Sequence, residues 1–531
     1  MARRSAGSPP RPSQPAGSCC DTASSPAPTI SWRSLCNGNC FRRRVVMRIN
    51  RRDFLKAGLA GAVLPVVGTA QQAMTQAAAT ARGGRRPNVI FILADDLGYQ
   101  ELGSYGQKKI RTPNLDRLAA EGMRFTQHYC GQAVCAPSRC ALMTGKHMGH
   151  TCIRDNRELA GGYQLPIPDG TLTLAEIFKR QGYATGCFGK WGLGGPDTEG
   201  HPNRQGFDAF FGNLGQVQAH WYYHPYVWHN DEKIDLPGNH GDTGDRYTHD
   251  LMAHHALQFI QDHRDEPFFL YVPFLIPHVS LHVPDDSLAE YLDEDWPETP
   301  YKGPGYPGGY SPCDRPKATY AAMITRMDRD IGRILHLLKD LRLDEDTLVL
   351  FSSDNGTTYC CGVDYDFFDS VGPLRGLKGS LYEGGIRVPL IARWPGRIRP
   401  GSTTDHLSAF WDFVPTCCEL IGAPTPDGTD GLSYLPTLLG RPDQQQGHDY
   451  LYWEFRSYGA QQAVRLGRWK GYRKNVHKDP KPPLELYDLR LDIGERTNVA
   501  AAHPGIVRRI EQIMAEAHTP SAQFPLLPGE G

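Results

Sequence analysis

Four oxygen-bearing side chains follow two apolar runs of the sequence. Asp95 and Asp96 come shortly after residues 88–93, and Asp354 and Asn355 come shortly after residues 347–352. Such runs predict buried strands, and parallel strands bring their carboxyl ends to one edge of a sheet. Carboxylate and amide oxygens are ligands of hard cations, so they predict a site for Ca²⁺ or Mg²⁺ rather than for Zn²⁺. A single Asp at such a place usually caps a loop, whereas two pairs at strand ends favour the metal site.

A cysteine opens the segment with the most specific spacing. From Cys135 to Lys146 the residues read C-A-P-S-R-C-A-L-M-T-G-K. Three further short segments stand out, namely Gly189-Lys190-Trp191, Pro277-His278 and Gly376-Leu377-Lys378-Gly379. A lone cysteine is most often a small buried apolar residue, but a motif of this length points to a specific role.

Together these segments resemble the signatures of the type I, formylglycine-dependent sulfatases, an arylsulfatase-like family, over nearly all of residues 88–520. The resemblance implies hydrolysis of sulfate esters, with Cys135 oxidised to formylglycine (3-oxoalanine) by a formylglycine-generating enzyme. Carried over position by position, the family's metal ligands correspond to Asp95, Asp96, Asp354, Asn355 and the modified Cys135. The residues around the sulfate correspond to Arg139, Lys190, His278 and Lys378.

The chemistry of a sulfate ester suits this set. Its peripheral oxygens gain charge as sulfur is attacked, so a cation and Arg and Lys donors stabilise the transition state. A formylglycine aldehyde adds water to give a geminal diol, whose hydroxyl is activated beside a cation. His278 is expected to protonate the departing alcohol. The second hydroxyl then expels sulfate and restores the aldehyde, which a thiol could not do.

One position departs from the family pattern. The usual G-K-W-H-L-G reads here with Gly192 in place of the histidine that contacts the formylglycine and assists sulfate release. Candidates to replace it are His147 and His150, shortly after the cysteine segment, and His220 and His224. We predict His147 and His220 as substrate contacts, although a single histidine is more often a core or surface residue.

The histidines at 220 and 224 belong to an aromatic segment, residues 219–228. Flat rings suit the apolar faces of sugars, so the segment predicts a sugar-stacking wall, with core packing as an equal alternative.

The elements around these motifs alternate between strand and helix. Strands are predicted near residues 88–93, 125, 183–188, 268–274 and 347–352, and helices at 113–121, 174–180 and 318–341. This alternation predicts an α/β domain whose mostly parallel sheet is covered by helices on both faces, and the resemblance implies an alkaline-phosphatase-like fold. Short strands at 450–455, 463–466, 469–472 and 484–487 and a helix at 505–517 predict a smaller C-terminal domain with an antiparallel sheet.

The first part of the chain predicts export. Asn50-Arg51-Arg52-Asp53-Phe54 precedes a small apolar run, the layout of a bacterial twin-arginine signal. The run is shorter than the roughly 20 residues that span a bilayer. We predict a mis-annotated extension at 1–46, the signal at 47–70, a linker at 71–87, a catalytic domain at 88–435 and a C-terminal α+β subdomain at 436–531. The protein is expected to be periplasmic or extracellular, without stable membrane insertion.

The net charge of the chain after its first 70 residues indicates which kinds of partner it can bind. The first 70 residues hold 11 basic and 2 acidic side chains of the chain's 57 and 58, so the remainder carries a net charge near −10. Such a surface disfavours nucleic acid and anionic membranes. The expected partners are therefore a sulfated carbohydrate or aryl sulfate and the maturation enzyme.

Two alternatives stay open. Related formylglycine enzymes act on phosphorus, which allows a phosphonate or phosphate ester hydrolase. The departure at Gly192 allows a catalytically impaired protein that binds sulfated glycans.

Overall fold

A computed structural model describes residues 85–530, and these belong to one compact unit of the chain. Its centre is a ten-stranded sheet whose middle strands are apolar and fully buried. The strands of this sheet are β1 (Asn88–Ala94), β2 (Met123–Phe125), β6 (Ala184–Lys190), β7 (Ala209–Asn213), β8 (Tyr226–His229), β9 (Glu232–Asp235), β10 (Phe268–Pro273), β11 (Thr347–Ser353), β12 (Leu390–Arg393) and β13 (Ser402–Thr404). Two small two-stranded sheets pair β3 (His128–Tyr129) with β14 (Ser408–Ala409), and β4 (Glu158–Leu159) with β5 (Tyr163–Gln164).

The strand order is β13-β2-β12-β11-β1-β10-β6-β7-β8-β9. From β11 to β7 the neighbours run parallel, whereas β12 and the hairpin β8-β9 are antiparallel. Ala94 pairs with Ser353, so the residues after β1 and β11 meet at one edge. The predicted mostly parallel α/β sheet is confirmed.

Helices cover both faces of this sheet and bury two apolar clusters against it. The α-helices span Pro113–Ala120, Cys135–Thr144, Leu174–Arg180, Thr248–Asp262, Asp285–Leu288, Pro316–Asp340, Tyr365–Phe368, Glu383–Ile386, Phe413–Ile421, Leu435–Leu438 and Pro504–Glu516. Short 3₁₀ helices lie at Gly103–Tyr105, Ala160–Gly162, Gln218–His220, Ala289–Tyr291, Asp344–Asp346, Phe410–Asp412, Pro442–Gln444 and Ala500–Ala502. Among residues 85–530, none of the helices has the length and apolar character to cross a membrane.

The predicted antiparallel sheet at the C-terminal end is present. It consists of β15 (Leu451–Phe455), β16 (Gln461–Leu466), β17 (Trp469–Lys474) and β18 (Glu485–Asp488), in that order. The helix Pro504–Glu516 buries Ile510 and Met514 against it. Lys470 of β17 is fully buried, and its Nζ lies 2.8 Å from Glu383 Oε1 of the main body. The C-terminal sheet is therefore in direct, buried contact with the part of the chain that forms the central sheet.

His518 fastens the end of the chain to this sheet. Its two ring nitrogens each lie 2.5 Å from a carboxylate oxygen, of Glu454 and of Glu530. Burial alone would lower the pKa of His518, but these carboxylates outweigh burial and raise it. A raised histidine pKa stabilises the fold below the unfolded-state value of about 6.5, and the gain is lost as pH rises through the folded-state pKa.

We therefore expect His518→Gln to lower the free energy of unfolding by about 1–3 kcal/mol near pH 6, with a smaller loss near pH 9. Urea unfolding of both proteins at the two pH values measures the difference. The exposed His477 supplies the control, His477→Gln, which should change little at either pH. An equal loss for His518→Gln at both pH values would contradict the charged pairing.

Candidate active site

The four oxygen-bearing side chains among the five predicted metal ligands lie together at the carboxyl ends of β1 and β11, and all four are buried. The backbone N–H of Asp96 donates to Asp354 Oδ1 at 3.1 Å, and Asn355 Nδ2 donates to Asp96 Oδ1 at 2.7 Å. Asp96 has a φ of 66°, a left-handed backbone conformation that residues other than glycine, asparagine and aspartate rarely adopt. The turn after β1 thus holds its carboxylate against the turn after β11.

Two oxygens of this cluster fit a cation. Asp95 Oδ1 and Asn355 Oδ1 are buried and accept no hydrogen bond from any residue in the described range 85–530. Burial and the nearby charge of Asp95 raise the pKa of Asp354 to about 7. Buried carboxylates that repel one another are stabilised by a bound cation. Because these ligands all offer oxygen, they suit Ca²⁺ or Mg²⁺.

Cys135 is the first residue of the helix Cys135–Thr144, and its thiol faces this cluster. Ligand atoms of Asp95, Asp96, Cys135 and His278 all lie within 4.8 Å of one another. Burial raises the pKa of the Cys135 thiol to about 12, although Lys190 and Lys378 act in the opposite direction. Burial therefore disfavours the charged thiolate form of this cysteine.

Three cationic side chains line the same site. Arg139 lies one helical turn after Cys135, and its Nη2 is 2.8 Å from Asp354 Oδ2. Lys190, at the end of β6, places its Nζ 2.7 Å from Asp95 Oδ2 and 3.4 Å from Cys135 Sγ.

The third cation is Lys378, whose Nζ lies 2.7 Å from Asp96 Oδ2. The three carboxylates and three cations cancel in formal charge. A divalent cation would then leave the site positive, which favours an anionic ester and the charge that develops on its oxygens.

His278 sits beside Lys378, with its Nε2 3.3 Å from Lys378 Nζ and 3.6 Å from Asp96 Oδ2. Its Nδ1 lies against the Val279 carbonyl, so in the neutral ring Nδ1 donates and Nε2 accepts. Burial, and next the charge of Lys378, lowers the pKa of His278 well below its usual value. In this arrangement the lysine is charged and the histidine is neutral, so Lys378 Nζ donates a hydrogen bond to His278 Nε2.

The two predicted substrate histidines lie in different places. His220 stacks on His278, with ring centroids 4.9 Å apart and planes 7° from parallel, so it joins the site. His147 follows the far end of the helix Cys135–Thr144, about 15 Å of helix from its first residue. There it stacks on His150, which bonds Asp430. The structure brings neither His147 nor His150 next to Cys135.

The aromatic segment at 219–228 mostly packs inside the protein. Tyr222 is fully buried, and its hydroxyl donates to the carbonyls of Leu275 and His278. Trp221 and Trp228 are buried as well. The segment therefore supports the turn that carries His278, and His220 contacts the ring of His278 directly.

Gln216 occupies the space beside Gly192. A Cβ built on Gly192 would lie 2.4 Å from Gln216 Nε2. Gln216 is 3% exposed, and neither its Nε2 nor its Oε1 has a hydrogen-bond partner among the described residues. Sequence reasoning missed Gln216, because it lies 24 positions after Gly192 and no motif marks it.

We expect Gly192→His to disturb the fold rather than repair the departure. Gly192 has a φ of +73°, which strains any side chain, and the ring would also displace the Gln216 amide. The expected cost is about 2–3 kcal/mol in the free energy of unfolding. Gly440→His is the matched control, since Gly440 has a φ of +68° and nothing within 4 Å of its Cβ position.

Denaturant unfolding of both variants separates backbone strain from the clash. The control should lose only about 1 kcal/mol, and the double variant Gly192→His/Gln216→Ala should recover the difference. Equal losses for Gly192→His and Gly440→His would show that Gln216 does not fill the space.

Comparison with known proteins identifies the family to which the chain belongs. The family model described as Sulfatase matches residues 87–423, and the model described as N-sulphoglucosamine sulphohydrolase, C-terminal, matches residues 377–519. Human arylsulfatase A is 33% identical, with 81% of this chain and 87% of the relative covered. N-acetylgalactosamine-6-O-sulfatase of Bacteroides thetaiotaomicron is 30% identical, with 82% and 94% covered.

A solved structure, Ps i-CgsB in complex with k-i-k-neocarrahexaose, matches with a TM-score of 0.68 and 27% identity. The match covers 82% of this chain and 94% of that one. The fold and the site therefore define a hydrolase of the alkaline-phosphatase-like class. More narrowly, the chain belongs to the sulfatase family, whose members hydrolyse sulfate esters with a metal ion and a formylglycine.

Proposed function

We propose that this protein is an exported sulfatase that removes sulfate from carbohydrate esters, with Cys135 converted to formylglycine. One observation carries the assignment. Cys135 Sγ lies 3.4 Å from Lys190 Nζ and within 4.8 Å of carboxylate oxygens of Asp95 and Asp96. Asp95 Oδ1 has no hydrogen-bond partner among residues 85–530. A buried nucleophile position beside both a cation site and fixed positive charge matches attack on an anionic ester.

The proposed metal ligands are Asp95, Asp96, Asp354, Asn355 and the modified Cys135. We propose Ca²⁺ as the ion, because a set of carboxylate and amide oxygens suits its variable coordination, and Mg²⁺ as the alternative. When bound, the cation would stabilise charge on the sulfate oxygens, and the hydrated aldehyde would supply the attacking hydroxyl.

Arg139 and Lys190 are proposed to hold the sulfate group. Both are fully buried, so their charges act in a low dielectric. Arg139 also donates to the Lys190 carbonyl, at 2.5 Å, which keeps the two side chains in a fixed relation. Such preorganised donors stabilise charge that develops in the transition state.

Lys378 and His278 are proposed to serve the leaving alcohol. The departing oxygen needs a proton, and the contact of 3.3 Å between Lys378 Nζ and His278 Nε2 places a proton donor and an acceptor side by side. An anionic substrate would raise the pKa of His278 and allow it to carry that proton. The ring of His220 stacks on the ring of His278, and we propose that His220 also contacts the substrate.

The substrate is proposed to be a sulfated carbohydrate, with aryl sulfates as small substitutes. Support comes from the relatives, since one is named for N-acetylgalactosamine 6-O-sulfate and a solved neighbour was captured with a neocarrahexaose. We propose a formylglycine-generating enzyme as the maturation partner.

Export and the domain boundaries are also proposals. The twin-arginine segment and the predicted extension, at 47–70 and 1–46, and most of the linker at 71–87 lie outside the described residues. We propose a catalytic domain at 88–435 and a C-terminal subdomain at 436–531, with the mature protein periplasmic or extracellular.

Paired substrates test the proposal. Protein co-expressed with a formylglycine-generating enzyme should release sulfate from an aryl sulfate and from members of a sulfated glycan panel. Turnover of the matching aryl phosphate and phosphonate should be much slower. A preference for the phosphorus esters would favour the phosphonate hydrolase alternative. Glycan binding without any sulfate release would favour the impaired relative.

A further inference from the structure

Two cysteine sulfurs lie next to each other where the helix Cys135–Thr144 meets the segment that follows it. Cys140 Sγ and Cys152 Sγ are 3.6 Å apart. Cys140 is buried in the helix Cys135–Thr144, and Cys152 is half-buried in the segment that follows this helix. Bonded sulfurs are about 2.05 Å apart, so an approach of about 1.6 Å would close the pair.

Other cysteines of the described range have different surroundings. Cys130 Sγ lies 3.0 Å from the Gln132 carbonyl, and Cys313 Sγ lies 3.4 Å from the Thr319 hydroxyl. Cys417 is fully buried in an apolar cluster. The cysteines named above therefore contact oxygen atoms or apolar side chains, whereas Cys140 and Cys152 contact each other through their sulfur atoms.

We propose that Cys140 and Cys152 are a modification site and form a disulfide in the mature protein. The inference relies on the proposed export for its physiological setting, since disulfides persist in oxidising compartments. Its geometry is independent of that setting.

The covalent step is a thiol-disulfide exchange with a disulfide oxidant, such as an oxidised dithiol oxidoreductase or oxidised glutathione. The thiolate of one cysteine attacks the oxidant's disulfide, and one thiol of the oxidant leaves. The thiolate of the second cysteine then attacks the mixed disulfide and expels the other thiol. Two protons and two electrons pass to the oxidant, and one S–S bond forms in the protein. Cys152 is the more exposed of the two and is therefore the sulfur that an external oxidant reaches first.

The bond would fasten the helix that carries Cys135 and Arg139. Near the start of this helix, the Ala136 N–H donates to Asn156 Oδ1 at 3.1 Å, so the segment after the helix already returns to its first turn. A disulfide between Cys140 and Cys152 would join this helix to the same following segment by a covalent bond. Because neither sulfur touches the catalytic cluster, the expected effect is on thermal resistance and not on turnover.

The full mature chain tests this directly. Protein equilibrated in a buffer of oxidised and reduced glutathione is treated with N-ethylmaleimide and digested without reduction. We expect a linked peptide pair containing Cys140 and Cys152 in the wild type and in the control Cys417→Ala. The pair should be absent from Cys140→Ser and from Cys152→Ser.

Thermal unfolding supplies the second readout. Reduction with dithiothreitol should lower the Tm of the wild type by about 2–4 °C, should leave the Tm of Cys140→Ser unchanged, and should change turnover at room temperature less than twofold. Recovery of Cys140 and Cys152 as separate alkylated thiols from the folded wild type in oxidising buffer would overturn the inference. A linked pair in a protein without sulfatase activity would refute the proposed function and leave the disulfide standing.

Discussion

Replacing Cys135 by alanine should lower the turnover number for an aryl sulfate by at least about 10⁴-fold, because the nucleophile itself is removed. The fold should survive, since a small buried side chain is exchanged for another at the first position of a helix. Sulfate release and the thermal unfolding midpoint, measured on one preparation, separate loss of chemistry from loss of structure.

The matched control is Cys140→Ser, five positions further along the same helix. It should retain most of the turnover number. Retention of more than about a tenth of wild-type turnover by Cys135→Ala would be far above what remains when a nucleophile is removed, and it would exclude Cys135 as the nucleophile.

The second large effect is expected from Asp95→Asn. Asp95 neutralises the fully buried Lys190 ammonium at 2.7 Å, and its other oxygen is a proposed metal ligand. Removing one partner of a buried ion pair lowers the free energy of unfolding by about 3–5 kcal/mol. Turnover should fall by about 10²–10⁴-fold, as when an electrostatic contact at the reacting centre is lost.

A metal titration distinguishes the two roles of Asp95. Chelation should abolish the activity of the wild type and lower its Tm, and added Ca²⁺ should restore both. Asp95→Asn should lose the Ca²⁺-dependent rise in Tm. The control Asp314→Asn, at an exposed residue that pairs with Lys302, should keep this rise. A full rise in Asp95→Asn would remove Asp95 from the ligand set.

The sequence predicted the core of this arrangement because its signals are local and strong. The runs that became β1 and β11 are mostly apolar and buried, and each is followed directly by polar residues. The parallel pairing of these strands, with Ala94 opposite Ser353, then brings Asp95 beside Asp354. The long helix Pro316–Asp340 and the four C-terminal strands also followed from local periodicity.

Contacts that depend on distant segments could not be predicted in this way. The strands β7, β8 and β9 are short and were missed, although they extend the sheet beside β6. His220 reaches His278 because the Ser280 N–H donates to the His220 carbonyl, a link across 60 positions. His147 lies close to Cys135 in sequence, but the intervening helix carries it away from the site.

The measurement that tests the central claim most directly is the mass of the peptide that contains Cys135. The protein is taken from cells with an active formylglycine-generating enzyme and is shown to release sulfate. We predict that the peptide carries an aldehyde at position 135, detected by its lower mass and by capture with a hydrazide. An unmodified thiol at Cys135 throughout an active preparation would contradict the account.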